Sequence, residues 1–293
     1  MFKAWLVNYF GLGSERKYNP DGSWCLCLIR LKLGKYNVLL EQEGTAIANK
    51  RKHPQGTVHT STLTISGVKS YSEGEKVAHD ICSLLSLASM SQVRAYHFEF
   101  GDKVKTIAVV GEAMYFRPLI QINNGNAVKL FVESTWSKYR KLKRSRKLPE
   151  VIEMLTTCEL PKIPLEVKLG QIFIILENLK STYANYNKVP FKDGFYRELS
   201  NTPKSNSKKG KRLSFEILLQ KMLKSVGMSP GLKRIIRLRN EIIHFGLSRK
   251  PYESLSNNYD FCHDVVREYL LRLLEYKGDY LIYSKASRVV DRI

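Results

Sequence analysis

The sequence is short of acidic residues, and this shortage leaves the protein strongly cationic. It has 27 Asp and Glu against 48 Lys and Arg, which gives a formal net charge of +21. Such an excess favours a polyanionic partner, most often nucleic acid, although a membrane surface or an acidic protein would satisfy the same electrostatics. Both parts of the chain carry the excess, since the net charge is +12 from Pro161 onward and +9 before it.

Cysteine is also scarce, and long apolar runs are absent. Five cysteines at scattered positions do not make a disulfide framework, which fits a reducing compartment. Cys25 and Cys27 would share one face of a strand, but no second pair follows, so ordinary buried thiols are favoured over a zinc site. The longest apolar stretches, such as 81–90, are shorter than a membrane span, and no signal-peptide pattern is found. We therefore expect a cytoplasmic protein without a membrane contact.

The signatures of several enzyme classes are missing as well. The sequence has no Gly-x-Ser-x-Gly, no phosphate-binding Gly-rich loop before a helix, and no His-Glu-x-x-His. Four histidines are dispersed without metal-ligand spacing: His53, His59, His79 and His97. His97 and Glu99 would share a strand face, a pattern more often structural than catalytic, and His263 is expected on the surface of the last helix.

The chain up to about Val110 has the pattern of short strands. Segments such as "SWCLCLIRLKLG" and "GTVHTSTLTISG" alternate or are rich in β-branched residues, and two alternating runs meet at Gly101-Asp102 as a hairpin. One helix interrupts the strands, and Ser72 with Glu75 would form its capping box. We predict an α+β sheet domain over residues 1–125, with a role in sensing or restraint.

After this domain the apolar period becomes that of helices. Two basic linker helices are predicted over residues 126–160, and an all-α bundle of four helices over residues 161–293. In the third bundle helix, Ser229 suits the N-cap, Pro230 the first helical position and Gly246 the position just past the end. The predicted fold class is therefore α+β, with a strand-rich N-terminal domain followed by a helical bundle.

The third bundle helix, "RIIRLRNEIIHFG", has an arginine in its apolar half. At about 100° per residue, Arg239 falls between Ile235 and Ile242. A guanidinium is always charged, and burying it unpaired is costly, so Arg239 requires a carboxylate, a phosphate or water. Asn240 and His244 lie on the opposite side at i and i+4, where the amide can touch the imidazole.

Spacing alone favours a structural explanation for both residues. Arg239 would pair with an acid on a neighbouring helix, such as Glu177, Asp264 or Glu268. His244 would be a solvated residue near a helix end, where a cation suits the helix dipole. A functional explanation needs evidence beyond the spacing.

The segment from Arg239 to His244 resembles the Arg-polar-x(3)-His motif of the HEPN superfamily, the helical domains named for higher eukaryotes and prokaryotes nucleotide-binding proteins. In that family the motif ends the third helix of an all-α bundle, and a long helix follows, as predicted here from about Asn258 to Tyr276. The whole chain is similar to stand-alone HEPN proteins of the bacterial abortive-infection (Apea-like) type, in which a strand-rich half precedes the bundle. The helix "ICSLLSLAS", from Ile81, also resembles theirs.

The resemblance implies a metal-independent endoribonuclease that works as a homodimer, with the motifs of two protomers in one composite site. His244 would be the acid–base residue acting on the ribose 2′-hydroxyl or the leaving oxygen, and Arg239 would hold the scissile phosphate. Asn240 would orient the imidazole or the backbone. Attack by the 2′-hydroxyl selects RNA over DNA and leaves a cyclic phosphate and a 5′-hydroxyl. No metal or other cofactor is implied.

Two basic stretches are candidate RNA contacts. The first lies in a helix predicted to be continuous over 126–147, where Trp136 and Tyr139 could stack on bases. Its candidate contacts are Lys138, Arg140, Lys141, Lys143, Arg144, Arg146 and Lys147. The second stretch is the polar loop 201–212, with Lys208, Lys209, Lys211 and Arg212. A solvated linker helix and an ordinary basic surface loop are the alternatives, and the residues alone do not decide.

Two functions from different classes fit these patterns. The first is a toxin-like RNA-cleaving protein of bacterial antiphage defence, in which the N-terminal half responds to a phage-derived trigger or an operon partner, or restrains the nuclease. The second is a non-catalytic module whose bundle dimerises or docks a partner and whose basic surface holds nucleic acid uncut. Convergence of Arg239 and His244 across a dimer axis would favour the first. An enzyme in the N-terminal half is a weaker third alternative, since no paired catalytic groups are found there.

Overall fold

The computed structural model describes residues 1–44, 57–112, 117–198, 210–229, 231–246, 250–285 and 289–293. Within these ranges the strands are β1 (Phe2–Val7), β2 (Glu15–Tyr18), β3 (Trp24–Leu33), β4 (Tyr36–Gln42), β5 (His59–Ser66), β6 (Arg94–Phe100), β7 (Lys103–Thr106), β8 (Phe191–Lys192), β9 (Phe195–Tyr196), β10 (Asp279–Ile282) and β11 (Val289–Arg292). The helices are α1 (Tyr71–Ser89), α2 (Gly125–Leu142), α3 (Leu148–Thr157), α4 (Leu165–Tyr186), α5 (Phe215–Lys224), α6 (Leu232–Phe245) and α7 (Tyr252–Leu273). The fold is α+β, with strands first and helices after them, as predicted.

The chain forms two compact units that do not follow the predicted domain boundaries. The first unit comprises Met1–Lys141, Ile152–Lys162 and Leu274–Ile293, and the second comprises Leu142–Val151 and Ile163–Leu273. The C-terminal segment was expected in the bundle. It belongs to the first unit, where β10 pairs with β11 and the Leu281 N–H donates to the Leu119 carbonyl at 2.9 Å. Residues 126–160 are divided between the units and form no separate linker domain.

Seven antiparallel strands form the sheet of the first unit, in the order β2-β3-β4-β5-β1-β6-β7. Alternation along the strands places every second side chain in the core, as in β3, where Cys27, Ile29 and Leu31 are buried. Helix α1 packs on β1 and β6. A Cβ at Gly74 would lie 2.2 Å from the ring of Phe2, so a glycine is required where α1 approaches β1.

Helix α1 begins two residues earlier than predicted. The Ser70 hydroxyl, not that of Ser72, caps it by accepting the Glu73 N–H at 3.2 Å. The Glu73 carboxylate in turn accepts the N–H of Lys69, the residue before the N-cap, at 2.7 Å, so the two side chains form a variant of the capping box. The Ser-x-x-Glu pattern occurs twice in succession, and the fold uses the first copy.

The basic helix is shorter than predicted, and the expectation of one continuous helix over 126–147 is wrong. Helix α2 ends at Leu142, Lys147 has φ +49°, and α3 begins at Leu148. Pro149 lies in the first turn of α3, where its missing N–H would have no acceptor within the helix, so it is compatible with a new start there. The hairpin at Gly101, by contrast, is confirmed, with Gly101 at φ +57° between β6 and β7.

Helices α4 to α7 make up most of the second unit, and α4 contacts each of the other three. Each helix buries apolar residues, among them Leu176 on α4, Leu219 on α5, Leu238 on α6 and Val266 on α7. The unit is not purely helical, because β8 and β9 pair as a short hairpin between α4 and α5. The predicted all-α bundle therefore lacked one element.

The boundaries of α6 were predicted correctly at one end only. The N-cap is Gly231, without a side-chain cap, so the expectation for Ser229 is wrong, and Pro230 lies outside the described residues. At the other end Gly246 has φ +72° and donates its N–H to the Ile242 carbonyl at 2.9 Å, as expected of a glycine that ends a helix. Helix α7 starts at Tyr252, earlier than predicted.

Two expectations about composition can be compared with the structure. Cys25 and Cys27 lie side by side on one face of β3, as expected, and Cys82, Cys158 and Cys262 are buried and free. In the part of the chain that the structure describes, no helix has the length and apolar character that crossing a bilayer requires.

The capping box of α1 predicts a specific pH dependence. The Lys35 ammonium, the Lys69 N–H and the Tyr36 hydroxyl lower the pKa of Glu73 to about 2. Because this value lies below the unfolded pKa, the stabilisation is complete above about pH 5 and is lost as the pH falls towards about 2. We expect Glu73→Gln to lower Tm above about pH 5 and to have little effect near pH 2, measured by circular dichroism.

The control is Asp102→Asn, which changes an exposed acid in the turn between β6 and β7 that has no ion pair among the described residues. Its Tm should follow that of the wild type at every pH. A Glu73→Gln deficit that stays constant down to about pH 2 would contradict the role assigned to this carboxylate.

Candidate active site

The Arg239 side chain is turned from α6 towards α4, where it meets a carboxylate. Its Nη2 lies 2.9 Å from Oε1 of Glu177, and the arginine side chain is 24% exposed. The structural explanation for the arginine, a pair with an acid on a neighbouring helix, is thus confirmed for Glu177. Partial exposure also means that the guanidinium can be reached from solvent.

Glu177 holds a second cation as well. Lys180, one turn later on α4, has its Nζ 2.5 Å from the other carboxylate oxygen of Glu177. The ring of Phe215, the first residue of α5, lies 4.5 Å from the Arg239 guanidinium carbon and 5.0 Å from Lys180 Nζ. Two cations therefore share one acid and one aromatic ring, which leaves this cluster with a net positive charge.

The Arg239 guanidinium retains unused donor capacity. Its Nη1 donates to Asn240 Oδ1 at 3.2 Å, whereas its buried Nε finds no acceptor among the described residues. A buried donor without an acceptor costs about 1–3 kcal/mol. Because the buried Nε cannot reach a ligand, the donors left for an anion with several oxygens, such as a phosphate, are the second N–H groups of Nη1 and Nη2.

Asn240 and His244 are both exposed on α6, on the side predicted from the sequence. His244 is in the last turn, one residue before the helix ends, and it makes no hydrogen bond among the described residues to Arg239. The side chains of Arg239 and His244 leave the helix about 140° apart around its axis. Asn240 links the two faces, since it accepts from Arg239 and stands one turn before His244.

The apolar half of α6 is only partly buried, contrary to the sequence expectation. Ile235, Leu238 and Ile242 are buried, but Ile243 is 50% exposed and Phe245 is 73% exposed. Tyr252, at the start of α7, is 76% exposed. We call the three exposed side chains, Ile243, Phe245 and Tyr252, the apolar rim. They flank His244 in the sequence and are not explained by the core of the unit.

Sequence reasoning missed some parts of this site and misplaced others. Lys180 and Phe215 were not singled out, although the Glu177 and Lys180 spacing of i and i+3 was a usable signal. His263, expected on the helix surface, is buried and its ring stacks on that of Tyr259 at 5.3 Å between centroids.

The basic residues proposed to contact RNA have different environments. Trp136 and Tyr139 are buried, so the expectation that they stack on bases is wrong. Lys138 pairs with Glu275 at 2.5 Å and Arg140 approaches Asp80 at 3.7 Å. The exposed candidates are Arg140, Lys141, Arg144, Lys147, Lys211 and Arg212; Lys143 is partly exposed, and Lys208 and Lys209 lie outside the described residues.

Arg146 is not available to RNA, and its assignment as a contact is corrected. Its side chain is 2% exposed and donates to Thr182 Oγ1, to the Leu179 carbonyl and to the Tyr269 hydroxyl at 3.2, 2.9 and 2.8 Å. These acceptors are uncharged. The turn that ends α2 directs the side chain inward, which the prediction of a continuous helix could not reveal.

Comparison of the chain with protein-family models, with curated proteins and with solved structures finds no match. The candidate site therefore rests on the geometry of its own residues and on the resemblance of its motif.

The environment of Arg146 predicts a structural role. Arg146→Met should lower the free energy of unfolding by about 1–3 kcal/mol, because the Leu179 carbonyl and the Tyr269 hydroxyl lose their donor inside the unit. Urea unfolding would measure the loss. Arg144→Met, at an exposed position two residues earlier, should change stability by less than about 0.5 kcal/mol. Equal losses in both variants would contradict the buried role.

Proposed function

We propose that this protein is a metal-independent endoribonuclease of the HEPN type, active as a homodimer. The observation that carries the proposal is the cluster around Arg239, in which Glu177 and Phe215 hold a partly exposed guanidinium beside Asn240, one helical turn from an exposed histidine. This arrangement offers an anion site and a proton-transfer group on one helix. Both are what cleavage of a phosphodiester by an internal hydroxyl requires.

In the proposed reaction the ribose 2′-oxygen attacks the adjacent phosphorus. The new bond joins phosphorus to the 2′-oxygen, the bond from phosphorus to the 5′-oxygen breaks, and a 2′,3′-cyclic phosphate and a 5′-hydroxyl result. His244 takes the 2′ proton or supplies the proton that the 5′-oxygen needs. Arg239 binds the phosphate oxygens and stabilises the charge that develops on them.

A dimer is proposed because one imidazole cannot be base and acid in the same step. Removing the 2′ proton needs a neutral imidazole, and protonating the 5′-oxygen needs a protonated one. Two protomers that meet near α6 supply two copies of His244 and of Arg239. The apolar rim supports this, since Ile243, Phe245 and Tyr252 are exposed on either side of His244 in the sequence.

We further propose a role in bacterial antiphage defence, in the cytoplasm. The sheet unit would respond to a phage-derived trigger or an operon partner, or would restrain the nuclease. The alternative function is a non-catalytic module that dimerises and holds nucleic acid uncut. The net charge of +21 supports nucleic-acid binding under either proposal.

The nuclease proposal is tested by incubating purified protein with total RNA in EDTA and mapping the product ends. We expect cleavage by the wild type, with cyclic phosphates at the new 3′ ends. His244→Ala should reduce the rate by about 10²–10⁴-fold through loss of proton transfer. Arg239→Ala should reduce it by about 10²–10³-fold through loss of charge stabilisation.

Arg292→Ala, which changes an exposed arginine on β11, serves as the charge control and should cut at the wild-type rate. Circular dichroism of each variant checks that the fold survives. Intact RNA with wild-type protein, with and without phage lysate as a source of trigger, would favour the binding module. Equal cutting by all variants would place the activity elsewhere.

The composite site predicts that dimerisation and cleavage are lost together. Ile243→Glu puts a charge on a half-exposed apolar side chain beside His244, so the monomer should still fold while self-association weakens. Sedimentation equilibrium and the RNA assay should report the two losses in parallel. Val290→Glu, on β11 and 47% exposed, is the matched control. An Ile243→Glu monomer with full activity would contradict a composite site.

A further inference from the structure

The hairpin of β8 and β9 projects aromatic side chains that the core does not use. Phe191 is 62% exposed and Phe195 is 43% exposed, whereas phenylalanine is among the residues that are most often buried. The register pairs Phe191 with Tyr196 and Phe195 with Lys192, so adjacent pairs face opposite sides of the ribbon. Each side of the hairpin thus presents one accessible phenyl ring.

Hydrogen bonds from a buried arginine hold the backbone of this hairpin. Asp193 and Gly194, with φ +54° and +78°, form the two-residue turn that suits a hairpin. Arg197 is buried and donates to the Lys192 and Gly210 carbonyls and to Asp193.

The following chain adds a further support. The Leu213 N–H donates to the Tyr196 carbonyl at 2.8 Å, and Glu198 donates its N–H to the Lys211 carbonyl at 2.9 Å. Tyr196 packs on the small cluster of Ala184, Leu213 and Leu218 at the root of the hairpin. Exposed rings on a fixed backbone lose little conformational entropy when they bind a flat partner.

Cations surround the two rings. The Arg212 guanidinium lies 4.2 Å from the centre of the Phe195 ring, and Lys192 stands opposite the same residue. Lys188 and Lys211 are exposed nearby in the chain. The two acids of this region are already engaged, since Asp193 pairs with Arg197 and Glu198 with Lys221, each at 3.3 Å.

We propose that this hairpin is a stacking platform for single-stranded nucleic acid. A base stacks on the exposed ring at either side of the ribbon, Phe191 on one and Phe195 on the other, and Lys192, Lys211 and Arg212 contact the phosphates of the strand beside it. Aromatic faces take any base, so the platform binds without reading sequence. The inference rests on the proposed function only in naming RNA as the natural strand. Stacking itself does not need the 2′-hydroxyl, which lets the two proposals be tested apart.

The test uses a short fluorescein-labelled oligodeoxythymidylate, a strand that 2′-hydroxyl attack cannot cut. Fluorescence anisotropy gives its Kd for the full-length wild type and for the double variant Phe191→Ser, Phe195→Ser. We expect binding to weaken by roughly tenfold or more. The variant Phe191→Tyr, Phe195→Tyr should restore it, because tyrosine keeps the aromatic face.

Salt dependence separates stacking from charge. The slope of log K against log salt should be unchanged by the serine substitutions and should decrease in magnitude by about 0.7 for Arg212→Gln, the value for one phosphate of a single strand. Val167→Ser, on α4 and 51% exposed, removes an apolar side chain of similar exposure without an aromatic face and should leave Kd unchanged.

Three outcomes would overturn the platform: wild-type Kd in the serine variant, failure of the tyrosine variant to restore binding, or a change of oligomeric state in the serine variant, which would indicate a protein-docking surface. The result is distinguishable from the fate of the nuclease. The platform is supported and the nuclease contradicted if the serine variant loses oligodeoxythymidylate binding while the wild type does not cleave RNA. RNA cleavage with unchanged binding does the reverse.

Discussion

The second unit is organised around one carboxylate that must serve two cations. Glu177 accepts from Arg239 and from Lys180, and Phe215 lies against both positive groups. A shared acid orients a guanidinium without neutralising the cluster, so the positive potential remains for an anion. The same contact links α4 to α6, whose rotation about its axis is set by the burial of Ile235, Leu238 and Ile242. The orientation of Asn240 and His244 towards solvent follows from that rotation.

Two buried or half-buried arginines in this unit show how environment decides the use of a guanidinium. Arg146 has its donors directed to neutral oxygens inside the protein, and its partners leave no room for a ligand. Arg239 has one strong partner, one weak partner and one N–H without an acceptor among the described residues. Two arginines of the same unit therefore have different roles: Arg146, fully buried, supports the fold, and Arg239, partly exposed, is suited to bind a ligand.

Sequence patterns were informative where a residue's local geometry decides its place. The alternation of β3, the hairpin glycine at Gly101 and the helix-ending Gly246 followed from such local rules. Patterns failed where distant packing decides. The inward turn of Arg146 depends on partners more than thirty residues away, and charge density in the sequence carries no sign of them.

The candidate site shows the same division. The sequence offered three acids as partners of Arg239, and only the packing of the helices shows that Glu177 is the partner and that Phe215 lies beside it. The positions of Asn240 and His244 on one exposed side of α6 required only the period of a helix.

The order of units along the chain has a consequence for synthesis: residues 274–293 complete the first unit but are translated after all of the second. The bundle that carries His244 can thus begin to pack on the ribosome while the sheet unit still waits for its final hairpin.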